Sequence, residues 1–212
     1  MARSTFLTVA AITTAAFLAA VVAPPSIATA QAPQTVMVPM RDGVRLATDV
    51  YVPDGQGPWP TALICTPYSR KGAQGFAKQA IERGYVLVAQ DFRGRFDSEG
   101  DDYPVFLAGG WGEHQDGYDT VEWVAAQPWC DGNVGMMGIS WGGFNSLQVA
   151  ARQPPALKAL VVIGFTDDRY ATDVHYIGGC LSKDNLDWSG TMIAGMDLPP
   201  DPALHGTAWR DM

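Results

Sequence analysis

Cysteine, histidine and basic side chains are all in short supply in this chain. It has three cysteines, three histidines, and 14 Lys and Arg against 22 Asp and Glu. The formal charge of −8 at pH 7 argues against nucleic acid or an anionic membrane surface as partner. No grouping of cysteine and histidine has the spacing of a zinc site. An odd cysteine count leaves at least one thiol unpaired within the chain. Cys65 lies in an apolar run and reads as a small core residue. Cys130 and Cys180 could pair, which their spacing leaves open. Long charge runs, low-complexity tracts and internal repeats are also missing.

Hydrophobic runs are short everywhere except at the start. Met1 to Ala30 reads as a secretory signal: Arg3 supplies a basic beginning, Phe6 to Ala23 is apolar, and Ala28-Thr29-Ala30 offers small residues for cleavage. An uncleaved anchor is the rival, since the run is nearly of spanning length. Its alanine and threonine content and the closing Pro24-Pro25 favour cleavage. Loss of Arg3 with this leader takes the formal charge from −8 to −9. Nothing later is long and apolar enough to span a bilayer, so the expected product is secreted or periplasmic.

What the chain does have is Gly138-Ile139-Ser140-Trp141-Gly142. This G-x-S-x-G lies between a predicted strand, Asn133 to Ile139, and a predicted helix, Trp141 to Arg152. Strand, tight turn and helix are the context of a nucleophile elbow, which lifts a serine hydroxyl above the sheet edge. The flanking glycines let strand and helix approach closely. The next backbone N–H falls at the helix N-terminus, where a developing oxyanion can be held. A glycine-rich turn with an incidental serine would share the pattern.

Around this stretch the pattern predicts an α/β fold. Thr35 to Pro39 and Val44 to Pro53 read as strands joined at Arg41-Asp42-Gly43. Thr61 to Thr66, Tyr85 to Gln90 and Leu157 to Ile163 are short apolar runs of the buried-strand type. Phe76 to Arg83 and Asp116 to Gln127 read as helices, and Tyr103 to Gly117 as irregular. Alternating apolar strands and helices imply a mostly parallel sheet with helices on both faces. From Phe165 to Met212 strand patterning ceases, and Asp201-Pro202 could cap a helix running to Met212. The expected domains are therefore a signal over 1–30, the α/β sheet over 31–164 and the start of a mostly helical cap over 165–212.

Several motifs then fall in one order: Val38-Pro39-Met40-Arg41-Asp42-Gly43-Val44-Arg45-Leu46, Pro67-Tyr68, Gln90-Asp91-Phe92-Arg93-Gly94 with Ser98-Glu99-Gly100, and Trp129 to Gly135 running into the elbow. In these the chain resembles the α/β-hydrolases that group X-prolyl dipeptidyl-peptidases, cocaine esterase and α-amino-acid ester hydrolases. The resemblance implies that Ser140 is the acyl-accepting nucleophile. Tyr68 matches the tyrosine whose hydroxyl donates to the oxyanion, and Trp141 would donate its backbone N–H. Without that match, Tyr68 reads as a packed loop aromatic. Asp91, Arg93 and Glu99 read as a hydrogen-bonded brace. Asp173 lies near an acidic position that holds the substrate ammonium in α-amino-acid ester hydrolases, and is left outside the site.

A serine nucleophile needs a base and an orienting acid, in the order Ser, Asp or Glu, His in this fold. Ser140, Asp168 and His205 satisfy the order, but Gly178 to Pro202 has no β-branched run for the strands that should intervene. His114 and His175 read as structural or solvated. The acid and base are expected beyond Met212, as in the N-terminal part of a longer enzyme. The implied substrate is a small ester or short peptide, with no cofactor or metal. Nothing in the pattern specifies an oligomeric state. The alternative is a non-catalytic hydrolase-like binding module without a base.

Overall fold

The computed structural model describes residues 32–101, 115–173, 175–183, 186–187, 189–190, 203 and 206. The leader expected over 1–30, His114, His205 and the helix expected after Asp201 lie outside the described residues, apart from isolated positions in the last.

Six strands form one sheet. In chain order they are β1 (Gln34–Pro39), β2 (Arg45–Tyr51), β3 (Trp59–Thr66), β4 (Val86–Asp91), β5 (Cys130–Ile139) and β6 (Leu157–Ile163). In space the order is β1-β2-β4-β3-β5-β6. The first two strands pair antiparallel with each other, and β2 joins β4 antiparallel. From β4 through β3 and β5 to β6 every pairing is parallel. Parallel neighbours need crossovers, and three helices supply them: α1 (Gln74–Glu82), α2 (Asp116–Ala125) and α3 (Trp141–Ala151). A 3₁₀ turn over Arg70–Ala73 leads into α1.

The period-two alternation of the strands divides the core. Leu63, Val88, Val134 and Met136 point to the side of α2 and α3, where they meet Val121, Val124 and Val149. Ile64, Leu87 and Ala89 point the other way, onto Ala77 and Ile81 of α1. The mostly parallel sheet with helices on both faces is thus present. Among the described residues β6 stands at one edge of the sheet, with Val161 and Ile163 about half exposed.

Within the segment expected to begin a mostly helical cap, the chain after Gly164 carries an antiparallel hairpin that the sequence did not predict, β7 (Tyr176–Ile177) and β8 (Cys180–Leu181). Gly178 and Gly179 make its turn at φ +57° and +79°, and such two-residue glycine turns set a hairpin without β-branched runs. Cys130 and Cys180 do not pair: both are free thiols, one buried in β5 and the other exposed on the hairpin. Cys65 is the core residue expected; burial pushes its thiol up to about 12. Among the described residues no helix is long and apolar enough to cross a membrane.

Candidate active site

Parallel strands bring their C-terminal ends to one edge of the sheet, and α/β proteins place their chemistry there. Ile139 ends β5 and Thr66 ends β3 on that edge. Ser140 follows the first and Tyr68 the second.

The elbow is a backbone device. Ser140 caps α3 with φ +56° and ψ −117°, a conformation that a non-glycine residue adopts only under constraint. Its N–H donates to the Ile163 carbonyl of β6 at 2.8 Å, and its own carbonyl accepts the N–H of Gly143 at 2.9 Å and of Phe144 at 3.2 Å. Gly138 makes this turn sterically feasible. A Cβ there would lie 2.3 Å from the carbonyl carbon of Gly142 and 2.4 Å from its oxygen. Gly142 itself is less confined, since a Cβ on it would meet nothing nearer than the Cys65 carbonyl at 3.6 Å. The first glycine of the motif is thus the sterically required one.

Ser140 Oγ and Tyr68 Oη share a hydrogen bond at 3.3 Å. The tyrosine is partly buried against the core yet has its hydroxyl on the serine. Trp141 opens α3, in the first turn, whose N–H groups point out of the helix end. All three residues expected at the site therefore meet there. Among the described residues the hydrogen bond on the Ser140 hydroxyl is shared with the tyrosine and not with a histidine.

Beside the elbow, Arg169 stacks on Trp141 and Phe144, 4.9 Å and 4.5 Å from their ring centroids. Its Nε donates to Asp173 at 2.8 Å. Asp173, buried, is thus ion-paired to Arg169. Asp168, offered by chain order as a triad acid, instead caps its own turn, accepting the N–H groups of Tyr170 and Ala171 at 3.0 Å each.

Charged braces surround the site, and their partners were not legible. Arg93 forks onto Asp116 at 2.6 Å and 2.9 Å and onto Asp42 at 2.7 Å. That ties the end of β4 to the start of α2 and to the β1–β2 turn, and the hydrogen bonds to Asp116 lead in raising the Arg93 pKa. Glu99 pairs with Arg45 at the surface. Asp91 belongs to neither of these. It joins Asp49 and Asp97 around the buried Arg70 guanidinium. Burial pushes Asp91 up to about 6, against the pull of Arg70. Burial also acts to lower the Arg70 pKa, but the Asp91 charge and the carboxylate hydrogen bonds outweigh it and hold it raised. The one hint in the sequence is Asp49, an acidic residue inside an otherwise buried strand, which needs a cation.

Comparison with known proteins places this arrangement. The profile of the X-Pro dipeptidyl-peptidase (S15 family) matches residues 42–211. Cocaine esterase of Rhodococcus sp. (strain MB1 Bresler) is 39% identical over 168 residues, 76% of this chain and 28% of that one. A solved α-amino acid ester hydrolase superposes with a TM-score of 0.67 at 29% identity, covering 82% of this chain and 32% of the other. An aminopeptidase from a marine sediment Thaumarchaeota archaeon superposes with a TM-score of 0.60 at 27% identity, covering 77% of this chain and 30% of its own. The chain spans about a third or less of the length of these relatives. With the elbow, the sheet and a family profile that covers most of its residues in agreement, the chain belongs to the X-Pro dipeptidyl-peptidase (S15) family of α/β-hydrolases.

Proposed function

We propose that this chain carries the nucleophile and oxyanion donors of an exported serine hydrolase that cleaves an ester or amide bond through an acyl-enzyme. The observation that carries the reading is the 3.3 Å contact between Tyr68 Oη and a Ser140 Oγ raised on a positive-φ elbow. Ser140 Oγ attacks the substrate carbonyl carbon and gives its proton to a histidine base. The carbonyl electron pair moves to the oxygen, which accepts hydrogen bonds from the Tyr68 hydroxyl and the Trp141 N–H. Collapse expels the alcohol or amine, and water releases the acid from Ser140 by the reverse logic. The substrate is a small ester or short peptide, by analogy with the named activities of the relatives.

The test is labelling of the full-length protein with a fluorophosphonate probe and hydrolysis of p-nitrophenyl acetate. Both are expected to vanish in Ser140→Ala. Residues 31–212 alone are expected to label only slowly, because a serine hydroxyl without its base is a weak nucleophile. Fast labelling of that short chain, lost on His205→Ala, would put the base inside it. A full-length protein that never labels is the binding module instead. Export is read from Met1 to Ala30: N-terminal sequencing of the mature protein should start at or near Gln31, and a membrane-bound protein starting at Met1 would defeat that part.

A further inference from the structure

Tyr68 sits in a three-residue bridge, Pro67-Tyr68-Ser69, and both ends of that bridge are fastened to the same rung of the sheet. Upstream, Thr66 pairs in register with Asp91. The Thr66 carbonyl accepts the Phe92 N–H at 3.1 Å, and its Oγ1 accepts the Tyr68 N–H at 3.0 Å. Downstream, the Arg70 N–H donates to Asp91 Oδ1 at 2.6 Å. Between the two clamps Ser69 is held at φ +79° and ψ +124°, with no side-chain cap. For an L residue such a conformation is strained and persists only where the surroundings impose it. Relaxation of Ser69 to negative φ would turn the peptide that follows Tyr68 and take its hydroxyl off Ser140.

The imposing group is a buried guanidinium. Arg70 is 2% exposed and reaches three carboxylates from three segments: Asp49 of β2 through Nε at 3.0 Å, Asp97 through Nη1 at 2.7 Å, and Asp91 of β4 through Nη1 as well. Asp49 is itself fixed by the Thr35 hydroxyl at 2.7 Å. Ion pairs this deep are costly to desolvate and contribute little net stability, whereas removal of one partner is severe. Their strength is in geometry, and here the geometry ends two residues from the candidate oxyanion donor.

We propose that Arg70, gripped by Asp49, Asp91 and Asp97, is the positioning residue that aims the Tyr68 hydroxyl at Ser140. This rests on the reading of Tyr68 as an oxyanion donor. The test is a double-mutant cycle in the full-length protein with p-nitrophenyl acetate, with each variant checked for folding by near-UV circular dichroism. Tyr68→Phe should lower kcat about 10²–10³-fold. Arg70→Lys keeps the charge but loses the planar fork, and should lower kcat about tenfold with KM within about twofold. The double variant should fall no further than Tyr68→Phe, because a residue that acts through another adds nothing once the other is gone. If Arg70→Lys does not fold, Asp97→Asn removes one grip and takes its place in the cycle with the same expectation. Additive losses, or a parental kcat in the folded Arg70→Lys or Asp97→Asn variant beside a slow Tyr68→Phe, would overturn the positioning role alone. A parental rate in Tyr68→Phe would overturn both that role and the reading beneath it.

Discussion

The two loops that meet at the candidate site are held by different physics. The Ser140 elbow is fixed by backbone: a glycine with no room for a Cβ, a hydrogen bond to the neighbouring strand and the first turn of a helix. The Tyr68 loop is fixed by charge: one guanidinium among three carboxylates, all nearly inaccessible. A backbone lock depends on sterics and is indifferent to pH. A buried ionic lock responds to whatever changes the protonation of its members. Two groups 3.3 Å apart are thus expected to fail in different ways.

The largest expected effect breaks the backbone side. Gly138→Ala sets a methyl 2.3 Å from the backbone of Gly142, which nothing but a shift of strand against helix can relieve. Overpacking onto backbone should cost about 3 kcal/mol or more. Gly142→Ala meets only ordinary contact at 3.6 Å, and should cost no more than about 1 kcal/mol. Urea unfolding of the two variants checks this. Equal losses would mean that the motif's glycines serve the turn alike and that close approach at Gly138 is not the constraint.

The difference between the locks also decides what was legible. Steric needs are local, so they are written as glycines flanking the serine they serve, and the elbow, its strand and its helix could be placed from the chain alone. The sheet was legible for a similar reason: buried parallel strands such as Leu157–Ile163 are short unbroken apolar runs. The ionic lock draws on positions 49, 70, 91 and 97, which become neighbours only after β2 and β4 pair. Asp91 and Glu99 read as one brace because they are close in sequence. In space the first joins Arg70 and the second Arg45. The hairpin of β7 and β8 escaped because two residues per strand leave no alternation to read.

A smaller effect separates the locks by pH. Asp91 is fully buried, shares Arg70 with Asp49 and Asp97, and has the Lys71 ammonium 3.8 Å from Asp97 on its outer side. Burial lifts its pKa from 3.8 to about 6, so the folded state binds this proton more tightly than the unfolded chain does. The contribution to stability is therefore full below the unfolded value and is lost as pH rises through about 6. Asp91→Asn lacks that titration. It should be less stable than the parent at pH 4, with the gap closing by on the order of 2–3 kcal/mol by pH 7. Urea midpoints across that range are the measurement, and a gap that stays constant or widens would show that Asp91 is ionised throughout.

The smallest effect asks whether charge or burial makes the second lock. Arg45 and Glu99 form an ion pair as well made as those of Arg70, with the arginine Nε and Nη2 both directed at the carboxylate. The pair also spans distant segments, since the Glu99 N–H donates to the Arg45 carbonyl at 3.0 Å. It differs in standing in water, with side chains 56% and 36% exposed. Solvent screens such a pair, and the entropy of holding two long side chains offsets its attraction. The backbone link survives truncation of either side chain. Arg45→Ala should therefore leave the urea midpoint where it was, at low and at high salt, and leave the hydrolytic rate unchanged. A clear loss of stability on this exposed pair, deepening as salt is removed, would mean that surface charge also holds the segment around Glu99, and the contrast between the two loops would then rest on charge alone and not on its burial.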